Sequence, residues 1–71
     1  MQPEHVTNAD VWNDTNAIKK MNYQIYFDAV VTAYICQFGI PMTNSQEYSI
    51  SRYHDEGYNP DYAAQAINIL D

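Results

Sequence analysis

The sequence predicts an all-α protein, a small helical bundle of one short N-terminal helix and three longer helices around a central hydrophobic helix at about 15–38. Three observations carry that expectation. Residues 21–38, MNYQIYFDAVVTAYICQF, are mostly apolar or aromatic, and the polar Gln24, Asp28 and Thr32 fall four apart, making one narrow stripe on a helix. Gly39-Ile40-Pro41 and Gly57 interrupt the chain where helices would end. Side chains suited to capping precede each segment so delimited.

Residues 1–5 are expected to be frayed. Val6 to Val11 reads as a helix start: Thr7 can cap, Asp10 falls in the first turn, and Val6 and Val11 have the spacing of a hydrophobic staple. That short helix runs through Trp12, the single tryptophan, which is expected to lie over the central helix. It weakens at Asn13-Asp14-Thr15-Asn16, whose short polar side chains compete for the backbone.

Asp14 or Thr15 can cap the central helix. Ile18, Met21, Ile25, Ala29 and Cys36 fall on one of its faces, and Tyr23, Phe27, Val30, Tyr34 and Phe38 on another. Two apolar faces on one rod call for cover on more than one side, by other segments or by a second chain. A strand competes for this stretch, because Val30, Val31, Thr32, Tyr34 and Ile35 favour extended backbone. Neither parity of the run is cleanly polar and its length exceeds an ordinary strand, so the helix is preferred.

After Gly39-Ile40-Pro41, Thr43 or Asn44 caps a third helix, with Gln46 or Glu47 placed for a capping box. Tyr48, Ile50 and Tyr53 are its bulky apolar residues, and Ser49, Arg52, Asp55 and Glu56 form its wet face. Gly57 ends it. Asn59-Pro60-Asp61 then supplies a cap, a first-position proline and an acid in the first turn of the fourth helix. Ala63, Ala66, Ile67 and Leu70 follow at helical spacing.

Seventy-one residues form one domain, 1–71, with room for a single core. An apolar content of 46% with 14% aromatics is too high for a disordered chain. Nine Asp and Glu against three Lys and Arg give a net charge of −6, which disfavours direct nucleic-acid binding and anionic membranes and fits a partner with a basic surface. Cys36 is the single cysteine, so no internal disulfide forms and a cytoplasmic location is expected. The first ten residues lack the basic start and apolar run of a signal peptide. Asp28 in the middle of the apolar stretch argues against a membrane span.

No motif for catalysis, a cofactor or a small-molecule substrate emerges. His54 is the centre of the densest group of functional side chains, but the positions three and four residues away are Ile50, Ser51, Gly57 and Tyr58, none of them a good metal ligand. It reads as part of a solvated helix end. Asp28 is assigned to the exposed stripe. Cys36 is assigned to the core, because an apolar helix lacks the electropositive setting of a nucleophilic thiol.

The seven tyrosines are more informative. Tyr48, Tyr53, Tyr58 and Tyr62 flank Gly57 on thinly apolar segments, among Arg52, Asp55, Glu56 and Asp61. Tyrosine gives a large contact area for little ordering entropy and is enriched at recognition surfaces. Those eight residues are the expected partner-binding surface; the simpler alternative is that the rings pack the edge of a small core. The chain therefore reads as a non-enzymatic acidic protein that binds and blocks or modulates a partner protein. Its concrete form is a phage- or plasmid-type inhibitor of a nucleic-acid-handling host-defence complex. One alternative is a structural or regulatory subunit that forms a homodimer or completes a larger assembly. Another is a small helical DNA-binding regulator, disfavoured because its third helix offers Arg52 as sole cation.

Overall fold

In the computed structural model the described residues are Trp12 and 14–70. They form four α-helices and no strand: α1 Thr15–Lys20, α2 Tyr23–Phe38, α3 Asn44–Glu56 and α4 Pro60–Leu70. The all-α class is as predicted, and the stretch with competing strand character is helical throughout. The helix start expected at Val6–Val11 and the fraying expected at 1–5 lie outside the described residues. Helix α2 is central: α4 packs along it most extensively, α3 lies beside it, and α1 rests against α3.

One boundary differs from expectation. The single helix foreseen over 15–38 is broken at Met21-Asn22, where both residues leave helical backbone, with ψ of 151° and 130°. The side-chain oxygen of Asn22 accepts from the backbone N–H groups of Gln24 at 2.8 Å and Ile25 at 3.4 Å. A short amide that caps so well competes with continuation of the helix before it. The apolar periodicity running across the site conceals the break.

The other ends follow their local chemistry. Asp14 caps α1, accepting from Asn16 N at 3.0 Å and Ala17 N at 3.2 Å. Gly39, at φ 74°, ends α2 and donates its N–H to the Ile35 carbonyl at 2.8 Å. Thr43 and Gln46 complete a capping box at α3, each side chain accepting from the other's backbone N–H. Asn59 caps α4 by accepting from Asp61 N at 2.8 Å.

The core takes one row of α2, Tyr26, Val30 and Tyr34, each at most 1% exposed. Against this row pack Ile18 of α1, Ile50 and Tyr53 of α3, and Ala63, Ala64 and Ile67 of α4, with Met42 from the connecting loop. Burying each large aliphatic side chain contributes on the order of 1.5–3 kcal/mol. The paired alanines let α4 approach α2 closely, although Ala64 replaces the expected Leu70, which is 69% exposed.

Helices α3 and α4 both pack on α2, but among the described residues the face carrying Ile25 and Cys36 is left partly uncovered. Ile25 is 57% exposed, and Cys36 is exposed rather than in the core. The helices α3 and α4 approach the same side, leaving the Gln24-Asp28-Thr32 stripe outward with Ile25, Ile35 and Cys36 beside it. Asp28 lies on that exposed stripe, as predicted, and accepts from Gln24 Nε2 at 3.1 Å. Trp12 is half-buried beside Ala29 of α2 and Pro60 of α4, and its carbonyl accepts from Asn59 Nδ2 at 2.8 Å.

Both glycines have positive φ, but their surroundings differ. A Cβ on Gly39 would meet nothing within 4 Å, whereas one on Gly57 would lie 2.5 Å from Thr15 Cγ2 and 2.7 Å from the Thr15 carbonyl oxygen. Gly39→Ala is expected to cost about 1–2 kcal/mol from backbone conformation alone. Gly57→Ala adds overpacking of roughly 1–3 kcal/mol and should melt roughly 10 °C below Gly39→Ala. Equal melting temperatures for the two variants would contradict the packing of α1 beneath this turn.

Candidate functional site

The tyrosines divide sharply between interior and surface. Tyr26, Tyr34 and Tyr53 are buried, while Tyr48 is 83% exposed, Tyr62 53%, and Tyr23 and Tyr58 39% each. Tyr53 therefore leaves the expected binding surface. Its position on α3 shares the inward face with Gln46 and Ile50, and its ring is fixed in the core beneath the guanidinium of Arg52, 5.2 Å from the ring centroid.

The remaining expected residues do not form one patch. Tyr58 and Tyr62 come together at the α3–α4 turn, with ring centroids 5.2 Å apart, and Tyr58 meets Tyr53 edge-on at 5.6 Å. They border a shallow groove with Trp12, Thr15, Gly57 and Asn59. Asp61 stands exposed in the first turn of α4, while Arg52, Asp55 and Glu56 are exposed along α3. Tyr48 belongs elsewhere. It borders a groove of about 420 Å³ between α2 and α3, together with Tyr23, Phe27, Asn44, Glu47 and Ser51.

That second groove depends on the break before α2. Asn22 starts the helix so that Tyr23 and Phe27 stand one turn apart, their rings 5.9 Å apart and inclined by 57°. His54 fills the space behind them. Its ring lies 5.5 Å from Tyr23 and 5.1 Å from Tyr26, and Nε2 bonds the Met21 carbonyl at 2.9 Å. A carbonyl only accepts, so Nε2 carries the hydrogen. His54 is thus a half-buried brace and not part of a solvated helix end, as the sequence suggested. Nothing in its local sequence points to Met21, 33 residues away.

Electrostatics mark the same region. The Tyr23 hydroxyl is held above the ordinary tyrosine range by partial burial first, then by the carboxylates of Glu47 and Asp55. The Tyr26 hydroxyl is pushed up further, chiefly by burial and then by its neighbours Tyr53 and Tyr23. It donates to the Tyr58 carbonyl at 2.8 Å, which also favours the protonated form.

Among the described residues no three His, Cys, Asp or Glu side chains group as metal ligands, and no helix is long and apolar enough to cross a membrane. What the arrangement offers is contact chemistry: exposed rings, hydroxyls and carboxylates on a helical frame. No family model, curated protein or solved structure matches the chain.

The Tyr26 proton gives a direct test of the core. The unfolded chain releases it near pH ~10, whereas the folded chain holds it, so stability is full below that pH and falls as pH rises above it. Tyr26→Phe is expected to cost about 1 kcal/mol at neutral pH, through the lost bond to Tyr58, and to flatten this alkaline decline. Urea midpoints for both proteins at pH ~7 and ~10.5 measure it. Parallel declines would show that Tyr26 is not the group responsible.

Proposed function

We propose that this chain is a non-enzymatic binding protein that occupies a basic surface of a partner protein and so blocks or modulates it. The single observation that carries the reading is the exposure of Tyr48, Tyr58 and Tyr62 on a rigid helical frame that also presents Asp55, Glu56 and Asp61. Exposed tyrosines supply contact area with little ordering cost, and the surrounding negative charge speeds encounter with a basic partner. A net charge of −6 acts in the same direction. The concrete form of the proposal is a phage- or plasmid-type inhibitor of a nucleic-acid-handling host-defence complex, whose nucleic-acid channel is necessarily basic. A chain with one cysteine suits the reducing cytoplasm, where such a complex works.

A second reading, self-association or completion of a larger assembly, is favoured by the exposed Ile25, Ile35, Ile69 and Leu70. Solution mass separates the two readings. A concentration-independent dimer that is broken by Ile25→Lys or Ile35→Lys supports the subunit, and a monomer supports the blocker.

Affinity capture from lysate at low and high salt tests the main proposal. Capture should weaken with salt and fall about tenfold or more when Tyr62→Ala is combined with Asp55→Asn and Glu56→Gln, with helical circular dichroism unchanged. Capture indifferent both to salt and to these substitutions would overturn it.

A further inference from the structure

We infer that the groove between α2 and α3 receives an arginine side chain of the partner protein, its guanidinium stacked on one ring of the inclined Tyr23–Phe27 pair and paired with Glu47. The inference rests on the binding-protein reading and names what one part of that surface recognises. The groove, about 420 Å³, has room for a side chain and its flanking backbone. Its α2 wall is aromatic and braced, since His54 backs Tyr23 and is itself tied to Met21. Its α3 wall is polar, with Asn44, Glu47 and Ser51 along successive turns.

Charge selects the occupant. Glu47 is the charged residue among the described lining, Asp55 lies near enough to act on the Tyr23 hydroxyl, and no cationic side chain is part of that lining. An anion is repelled here. An aliphatic group would desolvate the Glu47 carboxylate without replacing its hydrogen bonds. A guanidinium satisfies both walls, because its face stacks on an aromatic ring while its edge donates two parallel N–H groups to a carboxylate. An ammonium offers neither the flat face nor the fork, and is more strongly hydrated.

The oxygens of Asn44 and Ser51 can accept the remaining guanidinium N–H groups. Ser51 Oγ donates to the Tyr48 carbonyl at 3.2 Å, which leaves its lone pairs to accept. Tyr48, the most exposed of the large apolar side chains among the described residues, stands on the rim. Closing over the aliphatic stem of an arginine would give its ring the cover that the isolated chain does not supply.

The test uses the isotope-labelled full chain and three short unstructured peptides that differ only in carrying arginine, lysine or glutamate between glycines. The arginine peptide should shift resonances of Tyr23, Phe27, Glu47, Tyr48 and Ser51 saturably, the lysine peptide should bind more weakly, and the glutamate peptide should not bind. Glu47→Gln should weaken arginine-peptide binding about tenfold or more, and Tyr48→Ala should weaken it several-fold, with unchanged melting temperatures. Shifts confined to Tyr58, Asp61 and Tyr62 would overturn the groove assignment while leaving a basic partner in place. Equal affinity for arginine and lysine peptides, or no effect of Glu47→Gln, would overturn the stacking and pairing. If no peptide binds, the groove assignment fails. Salt-sensitive capture that survives Glu47→Gln with Tyr48→Ala would then show that the broader reading stands without it.

Discussion

Two tyrosine hydroxyls carried into the interior fix how this small bundle assembles. A buried hydroxyl must find a hydrogen-bond partner, so each one selects the element that can supply it. Tyr26 donates to the carbonyl of Tyr58 and thereby holds the turn between α3 and α4 against α2. Two turns further along, the Tyr34 hydroxyl accepts from Gln46 Nε2 at the start of α3 and from Asn68 Nδ2 near the end of α4, both at 3.1 Å. Aliphatic contacts alone would allow α3 and α4 to slide or rotate on the α2 row. The hydroxyls remove that freedom at both ends.

The surface follows from this interior. With Tyr26, Val30 and Tyr34 facing α3 and α4, residue 23 falls at the border of the contact and residue 27 one turn beyond it. The chain leaves helical backbone at Met21 before α2 starts, and His54, bonded to the Met21 carbonyl, occupies the space behind Tyr23. The groove between α2 and α3 is therefore a consequence of the break. A continuous helix over 15–38 would carry the backbone of residues 21 and 22 straight on and remove the carbonyl that His54 holds. Tyr53 turns inward for the related reason that α3 has too few aliphatic side chains to cover the core. Its inward row is Gln46, Ile50 and Tyr53, a mixed set in which even the glutamine is used twice, at the cap and on Tyr34.

Local chemistry was legible in the sequence, and placement at a distance was not. Asp14, Gly39, Thr43, Gln46, Gly57 and Asn59 act where their residue types and spacing put them, because caps and turns depend on neighbours within four residues. Asn22 has the chemistry of a cap too, but the apolar periodicity that runs across it hides the helix start. Cys36 and Ile25 were misplaced because hydrophobicity states that a residue gains by burial, not which side of a helix its neighbours approach. Periodicity cannot choose between two apolar faces. Of the expected binding surface, Tyr58 and Tyr62 are together and exposed, Tyr53 is enclosed, and Tyr48 belongs to a different groove whose other wall is Tyr23 and Phe27, from an apolar face of the central helix. Proximity in sequence suggested one patch; α3 presents its residues in several directions, so the fold makes two regions of it.

The balance between a foreign partner and a second copy of the chain turns on electrostatics and contiguity. Ile25 and Ile35 lie on either side of a stripe held by Gln24, Asp28 and Thr32, so a second chain docking there must bury Asp28 or leave the two isoleucines separately covered. Burying a carboxylate without a cation is costly, and a symmetric copy brings its own Asp28 to the same seam. Each chain also carries −6, a repulsion that acts over a screening length of about 8 Å at physiological salt. A basic partner reverses the sign of both terms: the long-range field becomes attractive, and carboxylates at the contact acquire cations. Without a cation to pair with Asp28, the exposed isoleucines supply area for a contact but not the charge that a contact with itself would need.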